Sequence, residues 1–238
     1  MAKERLDKLI ASTGRWSRRE VKTLVREGRV LVDGRIAGSA EEKYDAESCR
    51  ITVNGEELLL RRHTYVMLHK PAGVLSATED GRGRTVLDLL TPELRKIGVF
   101  PVGRLDKDTE GLLLLTDDGE LAHTLLSPKK HVDKVYYARV SGRLAPEDCA
   151  AFEAGMTLGD GLECLPAGLE ILAAGETSEC LVTLREGKFQ QVKRMLAARG
   201  KPVTYLKRLS MGSLRLDDTL APGEFRLLTA AEEAQLQR

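Results

Sequence analysis

The side chains best suited to chemistry are gathered in Gly103-Arg104-Leu105-Asp106-Lys107-Asp108-Thr109-Glu110-Gly111. Three carboxylates, Asp106, Asp108 and Glu110, share this short polar stretch, and the Arg104 guanidinium stands two residues before the first. An ionised carboxylate can act as base or nucleophile, and a nearby cation favours its charged form. On spacing alone the stretch reads first as a charged hairpin tip without chemistry. A hydrolase using Asp106 and Asp108 as paired acids is another reading open at this level.

Such a loop needs a rigid base. The apolar run Ile97-Gly98-Val99-Phe100-Pro101-Val102 precedes it and Leu112-Leu113-Leu114-Leu115 follows, so two buried strands are expected to flank it. A strand over 65–68 leads into Lys70-Pro71-Ala72-Gly73, where Lys70 stands either by a cleft or in solvent. Residues 85–90 suggest a short helix stopped before Pro92. Residues 118–126 read as a helix, and Ser127-Pro128-Lys129-Lys130-His131 as a basic loop. A strand over 134–140 puts Tyr136 and Tyr137 on opposite faces. Helices are expected over 146–154 and 189–199, and strands over 179–184, 203–206 and 214–216. In the 189–199 helix Val192, Met195 and Leu196 share one face, with Lys193 and Arg194 on neighbouring faces. Strands and helices lack a regular β-α-β rhythm, which predicts an α+β domain with a mixed, mainly antiparallel sheet.

The N-terminal region has a different character. Leu6, Leu9 and Ile10 have helical spacing, and Gly14 is a plausible stop. Ser17-Arg18-Arg19-Glu20 has the form of a capping box that opens a second helix with Val21, Leu24 and Val25 as its buried stripe. Arg18, Arg19, Lys22 and Arg26 lie largely off that stripe. Asp33-Gly34 predicts a tight hairpin turn, and Ile51-Thr52-Val53-Asn54-Gly55 a further strand and turn. In the connecting segment Leu58-Leu59-Leu60 is expected to pack against a domain, with Arg61-Arg62-His63 in solvent or near nucleic acid.

Net charge is only +1 over 238 residues, but its distribution is uneven. Residues 1–35 hold ten lysines and arginines against five acids, whereas residues 144–184 hold eight acids and no lysine or arginine. One end suits phosphate, and the acidic stretch should face away from it. Cys49, Cys149, Cys164 and Cys180 form no Cys-x-x-Cys pair and do not cluster with the four histidines, so no zinc site is expected. They read as reduced cysteines of a cytoplasmic protein. The start, Met1-Ala2-Lys3-Glu4-Arg5, lacks an apolar signal segment, and no run of about twenty apolar residues predicts a membrane span.

Five ordered segments carry a family resemblance. Gly103-Arg104-Leu105-Asp106, continued by Lys107 to Leu113, resembles the catalytic-aspartate motif of pseudouridine synthases. Met67-Leu68-His69-Lys70-Pro71-Ala72-Gly73-Val74 resembles the family's first motif, with His69 where Asn is usual. Lys134-Val135-Tyr136 resembles its Lys-x-Tyr segment, and Glu186-Gly187-Lys188-Phe189-Gln190-Gln191-Val192-Lys193-Arg194-Met195 its basic-helix motif, with Gln190 where His is common. The tail Pro222-Gly223-Glu224-Phe225-Arg226 also matches. Arg5-Leu6-Asp7-Lys8, Ser17-Arg18 and Gly28-Arg29-Val30-Leu31-Val32-Asp33-Gly34 resemble an S4 RNA-binding domain. The chain thus resembles the RsuA-like branch of the pseudouridine synthases.

The resemblance implies an S4 domain over 1–58, a linker over 59–64 and a synthase domain over 65–238. It implies isomerisation of uridine to pseudouridine in ribosomal RNA, with 16S rRNA or a small-subunit assembly particle as the closest match. Relatives acting on 23S rRNA or tRNA, and a non-catalytic S4-type assembly protein, are the alternatives. It implies Asp106 as the catalytic carboxylate, Tyr136 stacking on the base, and Lys193 holding the carboxylate. Arg5, Lys8, Ser17, Arg18, Arg19, Lys22, Arg26 and Arg104 are the expected RNA contacts. No metal, organic cofactor or membrane is implied, and a monomer is expected.

Overall fold

The computed structural model describes residues 3–46, 48–58, 60, 62–127 and 130–236. The expectations for Leu59, Arg61, Pro128 and Lys129 lie outside the described residues. The chain divides into two compact units, residues 1–64 with 90–99, and residues 65–89 with 100–238.

In the first unit β1 (Glu4–Arg5) leads into α1 (Leu6–Ala11), which buries Leu6, Leu9 and Ile10. The helix ends at Ser12, two residues before Gly14 turns the chain at φ 72°. α2 (Arg18–Arg26) begins with the capping box: Glu20 N donates to Ser17 Oγ at 3.3 Å, and Ser17 N donates to Glu20 Oε2 at 2.6 Å. Its buried residues are Val21, Leu24 and Val25. β2 (Val30–Val32) and β3 (Arg35–Ile36) are joined by Asp33 and Gly34, both at positive φ, as a two-residue hairpin turn requires. β4 (Lys43–Tyr44) pairs with β1. β5 (Ile51–Val53) and β6 (Glu56–Glu57) repeat the device at Asn54-Gly55. The sheet order is β3-β2-β5-β6. Leu58 is buried in this unit's core and Leu60 packs against it. α3 (Pro92–Ile97) also belongs here, opened by Thr91 and Pro92 and closed by Gly98 at φ 87°. The apolar run over 97–102 is therefore not one strand: Ile97 ends a helix, and only β8 (Phe100–Pro101), which belongs to the second unit, is extended.

The second unit is built on one nine-stranded sheet. After β7 (Tyr65–Lys70), a 3-10 turn (Val86–Leu89) and β8 come β9 (Glu110–Thr116), α4 (Gly119–Leu126) and β10 (Lys134–Ser141). α5 (Pro146–Ala154), a small pair of β11 (Met156–Thr157) with β12 (Glu163–Cys164), β13 (Gly168–Ala173) and β14 (Thr177–Leu184) follow. The chain closes with α6 (Gln191–Ala198), β15 (Val203–Met211), β16 (Leu214–Arg215), β17 (Phe225–Leu227) and α7 (Ala230–Leu236). The order is β13-β14-β10-β15-β9-β7-β17, with β16 on β15 and β8 on β9. β9 and β15 run parallel, while the other pairs run antiparallel, so the sheet is mixed and mainly antiparallel, as expected.

Leu112, Leu113, Leu114 and Leu115 are wholly buried, so both faces of β9 are covered. α4 places Leu121, Ala122 and Leu125 in one core with Tyr65, Met67, Leu112 and Leu114. At the start of β9 a Cβ on Gly111 would lie 2.2 Å from the Arg208 carbonyl oxygen. Glycine alone permits β9 and β15 to approach so closely at φ 107°. On β10 Tyr136 is buried and its neighbour Tyr137, on the other face, is half-buried.

Candidate active site

The loop between β8 and β9 is tied down from beneath by the segment that follows β7. Ser76 satisfies both backbone groups of Leu105: its hydroxyl donates to Leu105 O at 2.9 Å and accepts from Leu105 N at 3.0 Å. Gly73 N donates to Lys107 O at 2.7 Å, and Thr109 N to Asp106 O at 3.1 Å. Lys70 is wholly buried. Its ammonium donates to Thr109 O at 2.9 Å, Asp106 O and Pro71 O at 3.0 Å, and Lys107 O at 3.3 Å. Lys70 therefore stands neither in solvent nor on a cleft wall but under the loop. Burial pushes its pKa down to about 8, against the attraction of Asp108, Asp106 and Glu110.

Above this base a pocket opens. Arg104, Leu105, Asp106 and Thr109 form one wall, Gly187, Lys188, Gln190, Gln191 and Val192 another, with Tyr136, Leu184 and Leu206 between them. Lys193, from the first turn of α6, reaches across with Nζ 3.4 Å from Asp106 Oδ2 and 2.5 Å from Asp108 Oδ1. The structure thus brings Asp106, Tyr136 and Lys193 together. It separates the three carboxylates of the loop by environment. The Asp106 side chain is 26% exposed and on the pocket wall, while that of Asp108 is 73% exposed and off it. The hydrogen bond from Lys193 holds the Asp108 carboxyl below its usual pKa. Glu110 instead accepts from Tyr205 OH at 2.8 Å.

Two pocket groups are left without partners. Thr109 is 1% exposed, and its hydroxyl oxygen has no hydrogen-bond partner among the described residues. Arg104 is exposed at the pocket and has no ion pair among the described residues. Sequence reasoning missed Lys70's brace, Ser76 and Thr109. Of the two departures from the usual motif, Gln190 lines the pocket. His69 is buried in β7, and its Nδ1 lies 2.7 Å from Leu220 O, so the ring donates there. Among the described residues no group of three or more His, Cys, Asp or Glu is arranged to hold a metal, and all four cysteines are free thiols.

The first unit carries a second feature, an open depression edged by Arg5, Arg18, Arg19, Lys22, Asp7 and Glu41. At its base lies Asp7, wholly buried. It accepts from Arg5 at 3.1 and 2.9 Å and from Arg18 at 3.0 Å on both oxygens. Burial pushes the Asp7 carboxyl up, but the bonds and charges of the two arginines outweigh it and its pKa lies below the usual value. Glu41 adds contacts to Arg5 at 2.9 Å and Lys22 at 3.2 Å. Lys8 pairs with Glu4 at 2.6 Å, the Ser17 oxygen is taken by the helix cap, and Arg26 is exposed outside the depression.

These features agree with the comparisons to known proteins. The family model for RNA pseudouridylate synthase matches residues 64–198, and the S4 domain model matches residues 4–48. An uncharacterized RNA pseudouridine synthase of Bacillus subtilis, YtzG, is 50% identical over 229 residues, 96% of each chain. The ribosomal small subunit pseudouridine synthase A of Vibrio cholerae is 40% identical over 233 residues, covering 98% of this chain and 99% of that one. The ribosomal large subunit pseudouridine synthase B of Bacillus subtilis is 39% identical over 237 residues, 98% of this chain and 96% of that one. A crystal structure of a pseudouridylate synthase superposes with a TM-score of 0.68 at 35% identity, covering 98% and 99% of the two chains. With a pocket carboxylate, a cationic partner and an S4 unit in one chain, and relatives matched over nearly its full length, the protein belongs to the RsuA-like RNA pseudouridine synthases, isomerases that carry an S4 domain at the N-terminus.

Proposed function

We propose that this synthase isomerises one uridine of 16S ribosomal RNA, with Asp106 as the catalytic carboxylate. The observation that carries the assignment is the shared pocket: Asp106 and Tyr136 line it, and Lys193 Nζ stands 3.4 Å from the Asp106 carboxylate. The reaction breaks N1–C1′, turns the base and joins C5 to C1′; the C5 proton is lost and one is gained at N1, so nothing is oxidised or hydrolysed. Asp106 acts either by adding to the nucleoside or by taking the ribose C2′ proton, and both routes need it ionised beside the sugar. Lys193, 3.4 Å away, orients it. The base must leave the RNA stack to reach this depth. Tyr136 stacks on it, and the unpartnered Thr109 hydroxyl gives it a hydrogen bond. Arg104 faces the gap left in the RNA or an adjacent phosphate.

Arg5, Arg18, Arg19 and Lys22 supply the phosphate contacts of the S4 unit, with Lys8 and Arg26 beside them. The small-subunit assignment rests on Gln191-Val192-Lys193-Arg194-Met195 and Leu220-Ala221-Pro222-Gly223-Glu224-Phe225, which most resemble the members acting on 16S rRNA, and on likeness to the Vibrio cholerae enzyme over nearly its whole length. The Bacillus subtilis large-subunit enzyme, at 39% identity, supports 23S rRNA as the second reading. We place the enzyme in the cytoplasm as a monomer. The paired-acid hydrolase is disfavoured because Asp108 stands in solvent rather than on the pocket wall.

Tritium release from RNA carrying C5-labelled uridine tests the chemistry. Asp106→Asn is expected to bind RNA and release none. Tyr136→Phe keeps the stacking ring but loses the hydroxyl that we propose as the route for the departing C5 proton, so it is expected to bind and to slow about 10²-fold. Wild-type release by Asp106→Asn, or free uracil among the products, would refute the assignment. Mapping pseudouridines in ribosomal RNA from cells lacking the protein decides between 16S and 23S.

A further inference from the structure

Phe189 is the most exposed large apolar side chain among the described residues, at 74%. It belongs to the turn between β14 and α6, and both of its chain neighbours, Lys188 and Gln190, line the pocket. The turn is held rigidly. Lys188 N donates to Gln191 Oε1 at 3.1 Å, Gln191 N to Lys188 O at 3.2 Å, and the Gln191 amide to buried Glu186 at 2.5 Å. Gln190 takes left-handed backbone angles, φ 48° and ψ 34°, which a residue with a side chain adopts at a cost. A clamped, strained turn therefore presents a bare aromatic ring to water at the edge of the pocket. Packing gives little reason for it, since about three quarters of the residue stays exposed. Lys188 stands next to it in the chain, and Arg104 lines the same pocket. An exposed ring beside a pocket that carries cationic side chains is the composition that binds unpaired nucleobases, which offer a π-face whatever their sequence.

We propose that Phe189 stacks on the base adjacent to the extruded uridine, filling the place in the RNA stack that the departing base leaves unsupported. The proposal rests on the functional reading above, because it takes an RNA strand to lie across the pocket. A single-stranded segment fits better than a protein partner, since the exposed apolar surface here is one ring flanked by polar and cationic groups rather than a continuous patch.

The test compares Phe189→Ala, Phe189→Leu and Phe189→Trp on 16S ribosomal RNA transcribed with C5-tritiated uridine. Loss of one base–aromatic stack corresponds to about a ten-fold fall in kcat/KM. That fall is expected for Phe189→Ala and Phe189→Leu, while Phe189→Trp stays within about two-fold of wild type because its ring stacks as well. All three should melt within about 2 °C of wild type, since an exposed side chain contributes little to stability. In a Trp16→Phe background the indole of Phe189→Trp is the sole tryptophan emitter, and RNA should quench it. Wild-type kcat/KM in Phe189→Ala, recovery by Phe189→Leu, or an indole that RNA leaves unquenched would each overturn the proposal. If the wild-type enzyme released no tritium from this RNA, the 16S reading would fail instead, and the quenching measurement, repeated with 23S RNA, would still decide whether the ring meets a base.

Discussion

Replacing Lys70 by methionine separates two effects of the same ammonium group. The charge sits in a site with no exposure, and its pKa falls from 10.5 to about 8. That drop opposes folding by about 3 kcal/mol below pH 8, at 1.36 kcal/mol for each tenfold change. In return the group donates to four carbonyls, three of them on the Asp106 loop. Each part-buried carbonyl stranded by the substitution costs about 1 kcal/mol, or roughly 4 for the four. The effects nearly cancel, so Lys70→Met should unfold within about 2 kcal/mol of wild type in urea. The loop, however, loses three of its ties, and a displacement of about 1 Å at Asp106 costs about 10²-fold in rate. Single-turnover tritium release should therefore fall about 10²-fold at nearly unchanged stability.

The pH dependence has a definite sign. Between pH 8 and 10.5 the unfolded chain keeps a proton on Lys70 that the folded chain has lost. Wild-type stability from this group thus rises with pH across that window, by up to about 3 kcal/mol relative to Lys70→Met. Activity should move the other way, because a neutral amine has two N–H groups for four carbonyls. A Lys70→Met enzyme with the wild-type single-turnover rate would refute the brace. A variant destabilised by much more than about 3 kcal/mol at pH 7 would refute the cancellation.

Two further substitutions test other parts of the molecule. Thr109→Val replaces a buried, unpartnered hydroxyl by a methyl of the same shape, so it should raise stability by about 1 kcal/mol in urea unfolding while lowering kcat/KM by about ten-fold; lost stability would mean that the hydroxyl serves the fold rather than the substrate. Asp7→Asn should cost about 2 kcal/mol at pH 7 and weaken RNA binding in filter assays, because Arg5 and Arg18 lose the carboxylate that aims them. The Asp7 pKa lies below its usual value, so its contribution is present above about pH 4 and disappears as pH falls through the folded value; a gap between the two proteins that persisted undiminished well below that value would remove Asp7 as its source.

What could be read from the sequence was what side-chain pattern dictates. Ser17 and Glu20 announce the cap of α2, Asp33-Gly34 its hairpin, and the alternation around Tyr136 and Tyr137 the strand that turns one of them inward. β13 escaped because it lies at the sheet's edge, where Gly168, Glu170 and Leu172 are exposed and no apolar alternation is required. β17 escaped for a related reason: Phe225, Arg226 and Leu227 form the opposite edge, and none is fully buried. α3 hid behind Pro92, which reads as a stop for the turn before it but is also a favoured first residue of a helix. The site divides the same way. Asp106, Tyr136 and Lys193 stood out by residue type and motif. Lys70 did not, because a lysine after a strand has the same sequence signature whether it meets solvent or backbone carbonyls.

That difference bears on how the pocket is organised. The segment 70–76 and the loop 103–111 look like two separate motifs in the sequence, yet they act on each other through backbone groups. Lys70 takes the carbonyls of Asp106, Lys107 and Thr109, Gly73 adds a second bond to Lys107, and Ser76 closes both polar groups of Leu105. Because the ties are made to the main chain, the side chains of Arg104 and Asp106 remain free for the pocket, and neither is spent on holding the loop in shape. A carboxylate oriented in this way needs little reorganisation when charge develops on the substrate, the condition under which electrostatic stabilisation is most effective. Lys193 then completes the arrangement from α6, pairing with Asp106 at 3.4 Å while its shorter contact to exposed Asp108 anchors the ammonium from the solvent side.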